Sequence, residues 1–109
     1  MADNIEQVTD STWEAQVLRS PLPVLVDFWA EWCQPCVRMV PDLEAVASQF
    51  AGKLKVVKVD VQTNDRVADQ YAVQNLPTLF VFKGGMVAEQ RIGKLSRQDL
   101  VKLVQPYVG

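Results

Sequence analysis

Val24-Leu25-Val26-Asp27-Phe28-Trp29-Ala30-Glu31-Trp32-Cys33-Gln34-Pro35-Cys36 is the stretch on which the chain is organised. From Val24 to Ala30 it is apolar and β-prone, the pattern of a short strand buried on both faces. Its second half reads as the start of a helix. Pro35 suits a first helical turn, having no N–H to leave unpaired and a φ already near helical. At the join stand the only two cysteines among 109 residues, spaced Cys-x-x-Cys. A central strand that delivers such a pair to a helix N-terminus predicts an α/β domain carrying thiol–disulfide chemistry.

Exchange requires a thiolate, because the neutral thiol is a poor nucleophile. With the helix beginning around Gln34, Cys33 lies where unpaired backbone N–H groups and the positive end of the helix dipole favour S⁻. Cys36 falls one turn along, facing inward with its sulfur near that of Cys33. Attack is therefore assigned to Cys33 and resolution of the mixed disulfide to Cys36. The alternatives are a structural staple and a metal shared between chains. A ring of about four residues gives only about 2 kcal/mol of loop entropy. Two cysteines without a histidine do not complete a four-ligand zinc site within one chain. No metal is expected.

Asp27 interrupts the apolar run, where a charged side chain is costly to bury without a partner. Strand alternation would place it on a wet face, but both Val26 and Phe28 are apolar, which favours burial. A desolvated carboxylate has a raised pKa and exchanges protons near neutrality. With no histidine in the chain, a general base has to come from such a group. Asp27 is read as a buried acid serving the proton of Cys36.

Composition sets the bounds. The length suits one domain spanning residues 1–109, and 49% hydrophobic residues suffice for a core. A net charge of −2 with scattered lysine and arginine argues against a nucleic-acid surface. Met1-Ala2-Asp3-Asn4 is acidic and polar, unlike an export signal, and no apolar run reaches membrane-spanning length. These features predict a cytoplasmic, monomeric protein without membrane contact, whose cysteines are catalytic in a reducing compartment. A mature chain that has lost a targeting peptide would read the same way.

The remaining pattern is an alternation of short strands and helices. Ile5 to Val8 predicts a strand, and Ser11-Thr12-Trp13-Glu14 a capping box that opens a helix, with Trp13 and Val17 packing inward. Val37, Val40, Leu43, Val46, Ala47 and Phe50 recur at helical spacing after Cys36, and Pro41 predicts a kink among them. Lys55 to Val61 is a strand, in which Lys58 suits a half-wet face. Asn64 begins a short helix carrying Val67, Ala68 and Tyr71 inward. Pro77 starts the strand Leu79 to Phe82, and Lys83-Gly84-Gly85 turns the chain into Met86 to Ile92. Gly93 reads as a turn glycine. Ser96 caps a last helix with Leu100, Leu103, Val104 and Tyr107 on one face.

Trp29-Ala30-Glu31-Trp32-Cys33-Gln34-Pro35-Cys36 resembles the thioredoxin active-site motif Trp-Cys-Gly-Pro-Cys, and the resemblance spans nearly the whole chain. It implies the thioredoxin fold, a single α/β domain with a central mixed sheet and helices on both faces. It implies a protein-disulfide reductase that needs no bound cofactor beyond its redox-active Cys33–Cys36 disulfide. Its partners would be disulfide-containing client proteins and a reductase that returns electrons. The matching lysine, Lys58, would pair with Asp27 and modulate it, and Pro77 would be a cis proline facing the cysteines. Trp29, Trp32, Leu76, Pro77 and Gly93 would frame a shallow apolar groove for the client chain. Gln34 stands where the family usually has glycine, and Val37 where a basic residue is commoner. Gln34 adds a side chain to the docking surface, and both changes bear on the redox poise. A disulfide isomerase or oxidant, or a redox-independent interaction module on the same fold, are the rival readings.

Overall fold

Five strands, β1 (Ile5–Gln7), β2 (Val24–Trp29), β3 (Lys55–Asp60), β4 (Thr78–Lys83) and β5 (Met86–Ile92), form one mixed sheet in the order β1-β3-β2-β4-β5. The computed structural model describes residues 4–108; Met1-Ala2-Asp3, most of the acidic opening, and Gly109 lie outside the described residues. β2 takes the centre because its residues from Val24 to Phe28 are all buried, so both of its edges and both of its faces need partners. It pairs in parallel with β3 and antiparallel with β4. The helices are α1 (Gln34–Gln49), α2 (Asp65–Gln70) and α3 (Arg97–Val108).

Alternation along β2 feeds two separate cores. Leu25 packs with Met39, Leu43, Leu79, Val81 and Leu100 beneath α1 and α3. Val24, Val26 and Phe28 point the other way, into a cluster with Trp13, Val67, Phe80 and Phe82. In that cluster Trp13 meets Phe82 edge-on at 5.3 Å between ring centroids, and Phe28 meets Phe80 edge-on at 5.6 Å. These tilted arrangements suit the ring quadrupoles.

β1, β2 and β3 run in one direction and β4 in the other. β5 is antiparallel to β4, so it runs with β2. The ends of β2, β3 and β5 therefore gather at one pole of the sheet. The start of β1 lies at the opposite pole. So does the end of α3, where the Lys83 ammonium donates to the Tyr107 carbonyl at 3.5 Å.

The first helix departs from expectation. It is a single π-helical turn over Glu14–Leu18, with the Arg19 N–H donating to the Glu14 carbonyl at 2.9 Å. Ser11 does not cap it. The Thr9 N–H donates to the Thr12 hydroxyl at 2.9 Å and the Thr12 N–H to the Thr9 carbonyl at 3.1 Å, so a threonine turn takes the place of the box. Glu14 cannot reach back, because its carboxylate holds Arg19 at 2.7 Å. Elsewhere Ser96 caps α3 as predicted, its hydroxyl accepting the Asp99 N–H at 3.1 Å. For α2 the cap comes from far along the chain: Asp10 accepts the Val67 N–H at 2.9 Å and the Arg66 N–H at 3.3 Å. α1 stays one helix through Pro41.

Candidate active site

The cysteine pair sits where β2 hands over to α1. Cys33 is the N-cap of α1, in extended conformation at φ −88°, and its sulfur accepts the Cys36 N–H at 3.2 Å. One of the unpaired donors of the helix start is thus aimed at sulfur. Cys33 and Cys36 are joined as a disulfide with Cα atoms 5.3 Å apart. Both are buried, Cys33 at 5% exposure and Cys36 at 1%. Pro35 occupies the first turn of α1 and, like Gln34, is exposed. Val37 is also exposed, so this rim of the site is uncharged until Arg38.

Ala30, Cys33 and Cys36 form a small cluster of their own, against which Trp29, Val61 and Leu76 pack. The Leu76–Pro77 peptide is cis, and Pro77 is buried. The Thr78 hydroxyl donates to the Asn75 carbonyl and closes the turn that enters β4. Thr78 stands opposite Phe28 on β2, which sets Pro77 at the cysteine pole of the sheet. The Gly93 N–H donates to the Pro77 carbonyl at 2.8 Å, bringing the end of β5 to the same place. Trp32, next to Cys33, is 62% exposed. Trp29, Leu76, Pro77 and Gly93 thus lie at the same pole of the sheet as the disulfide, with Trp32 and Gln34 exposed beside it. The hollow of about 320 Å³ lined by Arg91, Leu95, Asp99, Lys102 and Leu103 lies between β5 and α3 and includes none of them.

Asp27 is fully buried, and neither carboxylate oxygen has a hydrogen-bond partner. Its side chain lies on the same sheet face as Leu25, the face that α1 covers. Burial pushes its carboxyl from 3.8 up to about 7, while the Lys58 charge pulls it back in part. Asp27 and Lys58 stand in register on adjacent strands. The expected direct ion pair is nevertheless absent among the described residues. The Lys58 ammonium lies instead over the indole of Trp29, 4.2 Å from the ring centroid. The half-buried lysine keeps access to water there, and the ring face attracts its charge.

Two members of this surface escaped the sequence reading. Ile92 ends β5 beside Gly93 and is 62% exposed, an apolar side chain that adjoins the groove. Val61 packs on the cysteine cluster while its N–H donates to the Trp29 carbonyl at 3.0 Å. A signal for Val61 was present, since the residue after β3 must fall beside the end of its parallel neighbour. Ile92 has none, because its exposure depends on β5 being the edge strand.

A disulfide of this spacing, held at the start of a helix by a central strand and sharing its pole of the sheet with a cis proline, defines a dithiol–disulfide exchange centre. A thioredoxin family profile matches residues 4–106. Thioredoxin 1 of Nostoc sp. strain PCC 7120 is 44% identical over 102 residues, 94% of this chain and 95% of that protein. Thioredoxins of Acidithiobacillus ferridurans and Pseudomonas aeruginosa are each 44% identical over 100 residues, 92% of this chain and 93% of theirs. The chain belongs to the thioredoxin family. It is a thiol–disulfide oxidoreductase, a thioredoxin-type protein-disulfide reductase whose redox group is its own cysteine pair. No group of three or more metal-ligating side chains occurs among the described residues, and no helix of theirs is long and apolar enough to cross a membrane.

Proposed function

We propose that Cys33 is the attacking sulfur and Cys36 the resolving one, in a cycle that starts from the reduced pair. The Cys33 thiolate attacks one sulfur of a client disulfide, giving a Cys33–client disulfide and a client thiolate that takes up a proton. Asp27, as the carboxylate, removes the proton of Cys36. The Cys36 thiolate then attacks the Cys33 sulfur, closing the Cys33–Cys36 disulfide and releasing the second client thiolate, which takes the proton that Asp27 had removed from Cys36. Two electrons pass to the client with two protons, one from water and one from Cys36 by way of Asp27. A reductase partner restores the pair. The observation that carries these roles is the placement of Cys33 at the helix cap, its sulfur accepting a backbone N–H, with Cys36 deeper in the first turn.

Trp29, Trp32, Gln34, Leu76, Pro77 and Gly93 serve as the client-binding surface, and Pro35 holds the first turn of α1. Lys58 acts on Asp27 through its charge rather than by contact. The exposed Trp32, Gln34 and Pro35 beside the cysteines favour an extended protein chain over a small molecule. The chain works as a monomer in the cytoplasm, where thiols are kept reduced.

The test is trapping. Cys36→Ser incubated with an oxidised client protein is expected to accumulate a covalent adduct through Cys33, and Cys33→Ser to accumulate none. Adducts that form through Cys36 in the second variant would reverse the assignment. A reduction potential measured in graded thiol buffers separates reductase from oxidant. A value near −270 mV, the thioredoxin value, supports client reduction, and one near −120 mV supports oxidation instead.

A further inference from the structure

A buried carboxylate beside a lysine ordinarily captures it, because separation leaves an uncompensated charge away from water. Asp27 and Lys58 have every opportunity: they are in register on paired strands, with their side chains on one face of the sheet. Yet both oxygens of Asp27 are unpartnered, and the ammonium lies over an aromatic ring. Trp29 follows Asp27 by two residues on β2, so its indole shares that face and stands diagonally across from Lys58. The ring is itself held in place by packing against Ala30, Cys33 and Cys36.

From this geometry we infer that Trp29 is a positioning residue, whose indole face holds the Lys58 ammonium off Asp27 and so leaves the carboxyl unpaired and free to take a proton. This inference rests on the reading of Asp27 as the proton acceptor of Cys36. Among the described residues, Lys58 is the one charge that acts on Asp27. β4 places Leu79 opposite Asp27, and the buried residues of α1 over this face are Cys36, Met39 and Leu43. Asp60, the other charged residue on this face of β3, accepts the Gln62 N–H at 2.9 Å. The Lys58 charge is also the one that opposes the effect of burial on Asp27. With the ring in place, that opposition is partial. Without it, the ammonium would close on the carboxylate and lower its affinity for a proton, leaving it a weaker base for Cys36 at neutral pH.

The experiment follows the Asp27 side-chain carboxyl by carbon NMR across pH in the oxidised protein, where the cysteines do not titrate. Trp29→Leu is expected to lower the Asp27 midpoint by about one pH unit, and Trp29→Phe, which keeps a ring face, by less. Removing the indole also admits water, so the same change is made with Lys58→Met present. There the loss of the indole should move the midpoint little. An equal movement with and without Lys58, or none with it, would overturn the inference. A readout that needs no variant guards against a misfolded Trp29→Leu. The methylene protons next to the Lys58 nitrogen should resonate upfield in the wild type, shifted by the ring current, and ordinary positions would sink the clamp. If instead the clamp holds but Cys36 resolution ignores the Asp27 midpoint, the proton-transfer reading fails and the positioning one stands.

Discussion

The backbone N–H of Gly93 donates to the carbonyl of Pro77 across 2.8 Å, so the residue that follows β5 is fastened to the turn that enters β4. Gly93 makes this bond at φ +100°, and a Cβ built on it meets nothing within 4 Å. The obstacle to a side chain here is conformational rather than steric. Gly93→Ala is expected to cost about 1–2 kcal/mol in urea unfolding. Client KM should rise while the reduction potential stays put. Wild-type stability in that variant would mean that the positive φ is dispensable.

Asp27 makes folding stability depend on pH in a direction opposite to most carboxylates. Its carboxyl is raised from 3.8 to about 7 in the folded chain, so between those values the native state binds more protons than the unfolded one. Stability is then full below the unfolded value and is lost as pH rises through about 7. Roughly three pH units at 1.36 kcal/mol each give a loss of about 4 kcal/mol. Asp27→Asn keeps the shape and removes the titration. Denaturant titrations from pH 4 to 8 should find the variant gaining on the wild type throughout that window. Parallel curves would contradict the buried, unpaired carboxyl.

Two neighbouring glycines in the β4–β5 turn provide an internal comparison. Gly84 has φ +60° with open space around it, whereas a Cβ on Gly85 would lie 2.9 Å from the Leu18 carbonyl oxygen. Backbone oxygen cannot swing aside as a side chain can. Gly84→Ala should cost about 1 kcal/mol and Gly85→Ala about 3 kcal/mol, read from thermal unfolding. Equal costs would show that the turn and the Leu18 segment yield together.

The tryptophans separate binding from stability. Trp32 is exposed beside Cys33, while Trp13 is buried within the aromatic cluster. Trp32→Ala should leave stability within about 0.5 kcal/mol and raise client KM several-fold. Trp13→Ala should lose about 3–5 kcal/mol, with the cysteines of the folded fraction reacting normally. A Trp32 variant that unfolds early would assign that side chain to the fold.

Much of this was legible in the residues because the signals were local and strong. The apolar run of β2, the spacing of Cys33 and Cys36, and the cap at Ser96 each concern groups a few residues apart. The strands and long helices came out within a residue or two for the same reason. Ser11 misled, because a capping box competes with any neighbouring hydroxyl, and Thr9 and Thr12 won by closing a tighter turn. The cap that Asp10 supplies to α2 spans more than fifty residues and leaves no trace in either local pattern. The placement of Lys58 was missed for a different reason. Register predicts who stands opposite Asp27, but not that a diagonal indole offers the lysine a wetter resting place.

Because β1 starts and α3 finishes at the pole away from the disulfide, Asn4 and Val108 share one side of the molecule and the exchange chemistry the other. A polypeptide, surface or label attached at either of these points departs from the back of the protein. Both attachments can be made at once without shading the groove. The fold is thus suited to service on a tether, with its working face turned outward to whatever passes.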